Sequence, residues 1–158
     1  MLRRIKIFAI LAGISLIVIQ LYRPERTNPR ADPKQDIHAT LAIDPQVDSI
    51  LKRSCNDCHS NQTVWPWYSR VAPTSWLVVS DVNRGRVAVN FSEWSRYSTQ
   101  QQRKHLGETC SEVSQGEMPA TQYTIMHPSA RLSASERTAF CQWAKTAAWN
   151  RSETVTEE

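Results

Sequence analysis

Apolar and polar positions alternate along this chain with three different rhythms. Residues 7–22, IFAILAGISLIVIQLY, are apolar throughout except for Ser15 and Gln20. No polar face recurs at helical spacing, so the segment is not amphipathic. It follows a basic start, MLRRIK, and precedes RPERTNPR. It is short for a membrane span of about 20 residues and long for a secretory core of about 7–15. No small-x-small cleavage pattern or lipidation cysteine follows it. Residues 1–22 therefore read as an uncleaved transmembrane signal-anchor. Arg3, Arg4 and Lys6 precede the apolar run, and Arg23, Arg26, Arg30 and Lys34 follow it. The positive-inside rule is then nearly silent on orientation.

Residues 23–40 carry Pro24, Pro29 and Pro33 among charged residues and read as a linker. Helical rhythm begins with Asp44 as N-cap, Pro45 at the first position, then Val47, Ile50 and Leu51. That helix runs into Cys55. WPWYSRVAPT is an aromatic loop stiffened by Pro66 and Pro73. Thr74 is placed to cap a helix over SWLVVSDVNRG, which Gly85 would end. VAVNFSEW reads as loop or a short turn. Residues 99–115 read as a helix before Gly116, and GEMPATQYTIMHPSARL as a loop broken by Pro119 and Pro128. Ser133 with Glu136 forms a capping box. Ala139, Phe140, Trp143, Ala144 and Ala147 then line one face of a last helix. Residues 150–158 read as a frayed polar tail. The prediction is an all-α domain over residues 41–149, with four helices, long loops and little or no sheet.

At 158 residues the chain is long enough for one domain with a real core. The net charge of +4 hides an asymmetry. Residues 1–34 hold seven Lys/Arg against Glu25 and Asp32, leaving 12 basic and 13 acidic residues beyond. The globular part has no positive excess to grip phosphate, so no nucleic acid is expected as a partner.

The residues that carry chemistry are Cys55, Cys58 and His59, within Cys-Asn-Asp-Cys-His. In C-x-x-C-H, each thiol adds across one haem vinyl group to make a thioether. The two vinyls are spanned by one helical turn, and the histidine next in line meets the iron. Three other readings stand beside it. Zinc needs four ligands, usually in two close pairs, and Cys110 and Cys141 lie 31 apart. A thioredoxin-like dithiol needs a βαβ setting. A Cys55–Cys58 disulfide fits an exported chain. In the same compartment, Cys110 and Cys141 could form a disulfide.

A haem iron with one protein ligand usually takes a second. Met118, in GEMPA, is the leading candidate. Gly116 lets the chain turn near the ring, and Pro119 stiffens the loop and removes an N–H. The other candidates are Met126, His127, His105 and His38. His105 otherwise reads as part of a polar helix face, and His38 as a solvated linker residue. Trp65, Trp67, Tyr68 and Trp76 follow the motif closely and are candidates to pack on the porphyrin or donate to a propionate. Each also suits an ordinary core. Arg84 and Arg86 could pair with propionates or simply face solvent.

The stretch CNDCHSNQTVWPWYSRVAPTSWLVVSDVNRGRVAVNFSEW, followed by GEMPATQYTIMHPSARLSASE, resembles the bacterial haem-binding domain family of small, membrane-anchored c-type cytochromes. The likeness covers roughly residues 45–147. C-H-S-N, W-P-W-Y-S, A-P-x-S-W, G-R, N-F-S-x-W, the M-P loop and H-P-x-A-x-L-S recur in that order; here Thr74-Ser75-Trp76 fits the third. The resemblance implies a cytochrome-c-like helical fold, covalent haem c at Cys55 and Cys58, and His59 as proximal ligand. It also implies a haem domain on the periplasmic face of a bacterial inner membrane. The expected function is one-electron transfer by a single haem, with an unidentified redox partner protein. The alternatives are a haem-based sensor or a small peroxidase with a labile sixth ligand.

Overall fold

In the computed structural model, which describes residues 1–153, every regular element is helical. The α-helices are α1 (Leu2–Ile19), α2 (Ile37–Thr40), α3 (Pro45–Ser54), α4 (Asn56–His59), α5 (Thr74–Ala88), α6 (Thr99–Gln115), α7 (Thr121–Met126) and α8 (Ala134–Glu153). Short 3-10 turns occupy Trp67–Arg70, Phe91–Arg96 and Pro128–Ala130. The expected all-α class holds. The short helices α2 and α7 lie where the sequence pattern showed linker and loop, because four to six residues are too few for a periodic signal.

The core lies where α6 and α8 pack on each other and on α3. Ile50 and Leu51 of α3, Leu106 and Val113 of α6, and Phe140 and Ala144 of α8 are buried there. Trp94 is completely buried against them. A Cys110–Cys141 disulfide ties α6 to α8.

Local signals explain most boundaries. The Asp44 carboxylate accepts from the N–H groups of Gln46 and Val47 at 3.0 Å each and opens α3. Ser98 and Gln101 close a capping box on α6, and Ser133 and Glu136 do so on α8. Gly116 takes φ 82° after α6. Its N–H donates to Val113, and that of Glu117 donates to Glu112, a Schellman ending.

Three expectations are corrected. Thr74 does not cap α5; Ser75 and Trp76 donate to the carbonyls of Val71 and Pro73, so the preceding turn runs on into the helix. Gly85 does not end α5, which continues to Ala88. A Cβ on Gly85 would lie 2.5 Å from the Cys58 carbonyl oxygen, so the glycine serves close packing of α5 on α4. Nor does residues 1–22 provide the expected transmembrane span: among the described residues no helix is long and apolar enough to cross a membrane. Arg3, Arg4 and Lys6 occupy the start of α1. The apolar helix from Ile7 to Ile19 reaches only about 20 Å at ~1.5 Å per residue, against a hydrocarbon core of about 30 Å.

The proline-bearing segment after α1 lies along the domain as a strap. Gln20 exchanges two bonds with the backbone of Ala72, at 3.0 and 2.9 Å. Arg26 donates to the Ser69 carbonyl, Asn28 to that of Thr63, and Trp76 Nε1 to that of Tyr22. Ile37 is buried in the core. Of the expected polar tail, residues 150–153 continue α8, and 154–158 lie outside the described residues.

Candidate functional site

Cys55 ends α3 and starts α4. The N–H groups of Cys58 and His59 both donate back to the Cys55 carbonyl, at 3.1 and 2.9 Å. That single turn brings the three residues close together along the chain. Cys55 and Cys58 are unpaired thiols. Burial, and then the neighbouring Cys58 thiol, push Cys55 up to about 12. Burial, and then Asp57 and Asp81, push Cys58 up to about 11. Both are protonated near neutral pH. A disulfide-exchanging dithiol needs the opposite, a lowered pKa and a thiolate. The disulfide on α6 and α8 removes the other two cysteines from any four-cysteine zinc site. Among the described residues no cluster of three or more His, Cys, Asp or Glu could hold a metal ion.

His59 is set by α5. Its Nδ1 lies 3.2 Å from the Val89 carbonyl oxygen. A carbonyl only accepts, so Nδ1 carries the proton, and in the neutral ring Nε2 keeps its lone pair. Burial holds the imidazole below its ordinary pKa, which favours that neutral ring. A histidine in this state is a ready ligand for a transition metal.

A cavity of about 300 Å³ opens beside this turn. Cys55, His59, Val89, Phe91, His105 and Met118 contribute to its wall. Its volume falls at the lower end for a small-molecule or cofactor pocket. Met118 arrives there from the Schellman ending of α6: its N–H donates to the Glu112 carbonyl at 3.2 Å, just after Gly116 turns the chain.

The remaining candidates are distributed elsewhere. Trp65, Trp67, Tyr68 and Trp76 are not in this wall. Trp65 Nε1 donates to Asn28 Oδ1 at 3.2 Å, and Trp76 packs edge-on against Tyr22, so both hold the strap. Trp67 is 73% exposed. Arg86 is occupied by protein: it donates to the carbonyls of Ser60 and Thr27, to Asn28 Oδ1 and to Thr63 Oγ1. Arg84 is exposed. Both ring nitrogens of His38 are taken, by Asp36 at 2.6 Å and Asp48 at 2.9 Å. Tyr68, Met126 and His127 line a second cavity of about 130 Å³ with Cys58.

Phe91 and Val89 are wall residues that sequence reasoning did not assign, whereas His105, one of the lesser ligand candidates, does reach this wall. Phe91 and Val89 lie in a stretch read as loop. His105 lies on α6, whose inward face becomes visible only when Leu106 and Val113 are known to pack against α8.

Two adjacent thiols, a neutral imidazole with a bare Nε2 and a mainly apolar cavity together suit a haem group. The haem-binding domain family matches residues 14–146.

The chain belongs to the haem-binding domain family.

The matched region includes the strap and the end of α1. No curated protein and no solved structure matches the chain. Membership of a haem-binding domain family supports a haem cofactor.

Proposed function

We propose that the protein is a monohaem c-type cytochrome that carries one electron at a time. In this reading Cys55 and Cys58 form the two thioethers, His59 is the proximal ligand and Met118 the sixth. Each thioether would arise by addition of a cysteine S–H across a vinyl C=C, with sulfur on one carbon, hydrogen on the other and no oxidant needed. Bound there, haem supplies one-electron chemistry at its iron. The chain's own residues do the rest. Val89 fixes the tautomer and orientation of His59. Phe91, Val89 and Val113 limit water in the cavity. Glu112 and Gly116 deliver Met118 to it.

The observation that carries this reading is the His59–Val89 bond, made by the residue directly after the second of two unpaired thiols, beside the cavity that Met118 also walls. A pyridine haemochrome spectrum tests it; haem c is expected, and haem removable by acid–acetone extraction would overturn covalent attachment. Met118→Ala is expected to abolish the weak far-red band of methionine-ligated ferric haem. Persistence of that band would overturn the ligand assignment.

A periplasmic domain held at the inner membrane goes with this reading. Haem c attachment takes place outside that membrane, and α1 leaves its apolar side chains uncovered, with none of its residues buried. Such uncovered surface suits a membrane or a protein partner.

A second reading, a haem-based sensor with a labile sixth ligand, is favoured by two facts. Met118 is 36% exposed, and His105 walls the same cavity. Ready binding of carbon monoxide by the ferrous protein would support it against simple electron transfer.

A further inference from the structure

The loop that brings Met118 to the cavity is fastened twice, once to the cysteine–histidine turn and once to the Trp67–Arg70 turn that follows it. Tyr123 of α7 donates its hydroxyl to Asp57 Oδ2 at 2.8 Å. Asp57 stands between the two cysteines. Its other oxygen accepts the N–H of Val64 at 3.0 Å, and its carbonyl accepts the Thr63 hydroxyl at 2.7 Å. One carboxylate therefore joins three pieces of chain: α4, the segment after it and α7. The second fastening is Tyr68 Oη to His127 Nε2, 2.7 Å apart. Tyr123 and His127, four residues apart, stack with ring centres 4.4 Å apart and planes 17° apart. The two bonds thus support each other through that stack.

Met118 itself has little to hold it by packing. It is 36% exposed, and its known backbone tie is the single N–H bond to Glu112. From there the chain runs free of regular structure until Thr121. Its far end is held by the tyrosines.

We propose that Tyr123 and Tyr68 are positioning residues for Met118: their bonds to Asp57 and His127 form a two-point clasp that holds residues 118–127 to the cysteine–histidine turn and to the Trp67–Arg70 turn. This rests on the reading of Met118 as sixth ligand. Removing the Tyr123 hydroxyl leaves a carboxylate oxygen of Asp57 without its donor, and removing that of Tyr68 leaves His127 without its partner. The loop then opens more often, and the iron's sixth position is exposed each time it does.

The test uses the full-length holoprotein with Tyr123→Phe, Tyr68→Phe and the double substitution. Haemochrome content is expected to stay at the wild-type level. Carbon monoxide binding to the ferrous double variant is expected to quicken by about tenfold or more, the effect of losing a hydrogen bond to a charged group. Amide hydrogen exchange in residues 117–127 is expected to rise, with exchange in α6 and α8 unchanged. Asp57→Asn, which keeps an oxygen for Tyr123, is expected to fall between wild type and Tyr123→Phe. Wild-type carbon monoxide kinetics together with unchanged exchange in 117–127 would overturn the clasp. If wild type itself lacks the methionine band, the ligand reading fails, and the clasp then stands or falls on the exchange measurement.

Discussion

His59 donates its Nδ1–H to the carbonyl oxygen of Val89 at 3.2 Å, across 30 residues of sequence. The bond joins the cysteine–histidine turn to the residue that follows α5, and it decides which ring nitrogen has a lone pair to offer. His59→Ala is expected to convert the low-spin holoprotein spectrum to a high-spin one. Added imidazole, which can occupy the vacated volume, is expected to restore it. An unchanged low-spin spectrum without imidazole would move the proximal ligand elsewhere.

Gly85 lets that arrangement form. Gly85→Ala places a Cβ 2.5 Å from the Cys58 carbonyl oxygen, a backbone atom that cannot swing aside. Overpacking of this kind costs about 1–3 kcal/mol. Thermal unfolding is expected to come several degrees lower, with a reduced yield of covalent haem. Wild-type melting with full haem content would show that α5 can shift without harm.

The Cys110–Cys141 disulfide closes a separation of 31 residues between α6 and α8. The chain-entropy relation puts its contribution at about 3–4 kcal/mol. Urea unfolding of the double Cys→Ser protein is expected to show a loss of that order, with the haem spectrum retained, because neither cysteine walls the cavity. A shift below about 1 kcal/mol would mean that the reduced chain is already constrained.

Arg86 fastens the strap to the segment after the motif. Arg86→Ala removes its donors to Thr27 and Asn28 on the strap and to Ser60 and Thr63 beside the motif. Limited proteolysis is expected to cut within residues 23–33 markedly faster. If the strap stays protected while haem binding is lost, Arg86 has a direct role at the cofactor.

His38 gives a pH signature. Partial burial works against its charge, but hydrogen bonds and attraction from Asp36 and Asp48 outweigh burial and raise its pKa. A histidine with a raised folded-state pKa stabilises fully below its unfolded value of about 6.5 and loses that contribution as pH rises through the folded value. With the side chain 39% exposed, the contribution stays within the ~1 kcal/mol usual for solvent-exposed pairs. His38→Gln is expected to lower the melting temperature slightly at pH 6 and progressively less above neutrality. A difference that grows with pH would contradict the pairing.

The main helices were legible because their signals are local. Asp44, Pro45 and the Ser133–Glu136 box satisfy N–H groups within a turn of themselves, and Gly116 needs only its own backbone freedom. Thr74 and Gly85 misled for the same reason. Each carries a boundary-type side chain, but its surroundings are set from elsewhere: Val71 and Pro73 supply the carbonyls that replace a cap, and Cys58 presses on the glycine. The aromatic run after the motif gave no sign of its target. A tryptophan packs as readily on Tyr22 or Asn28 as on a cofactor, and composition cannot tell the partners apart.

The sequence by itself determined the all-helical class and the Cys55, Cys58, His59 turn, since those three residues are brought together by one turn of backbone. Only the tertiary structure decided what they face. Val89, Phe91, His105 and Met118 come to the cavity from 30 to 60 residues downstream, through the packing of α5 on α4 and of α6 on α8. Such long-range placement depends on every contact in between, whereas a single helical turn depends only on itself.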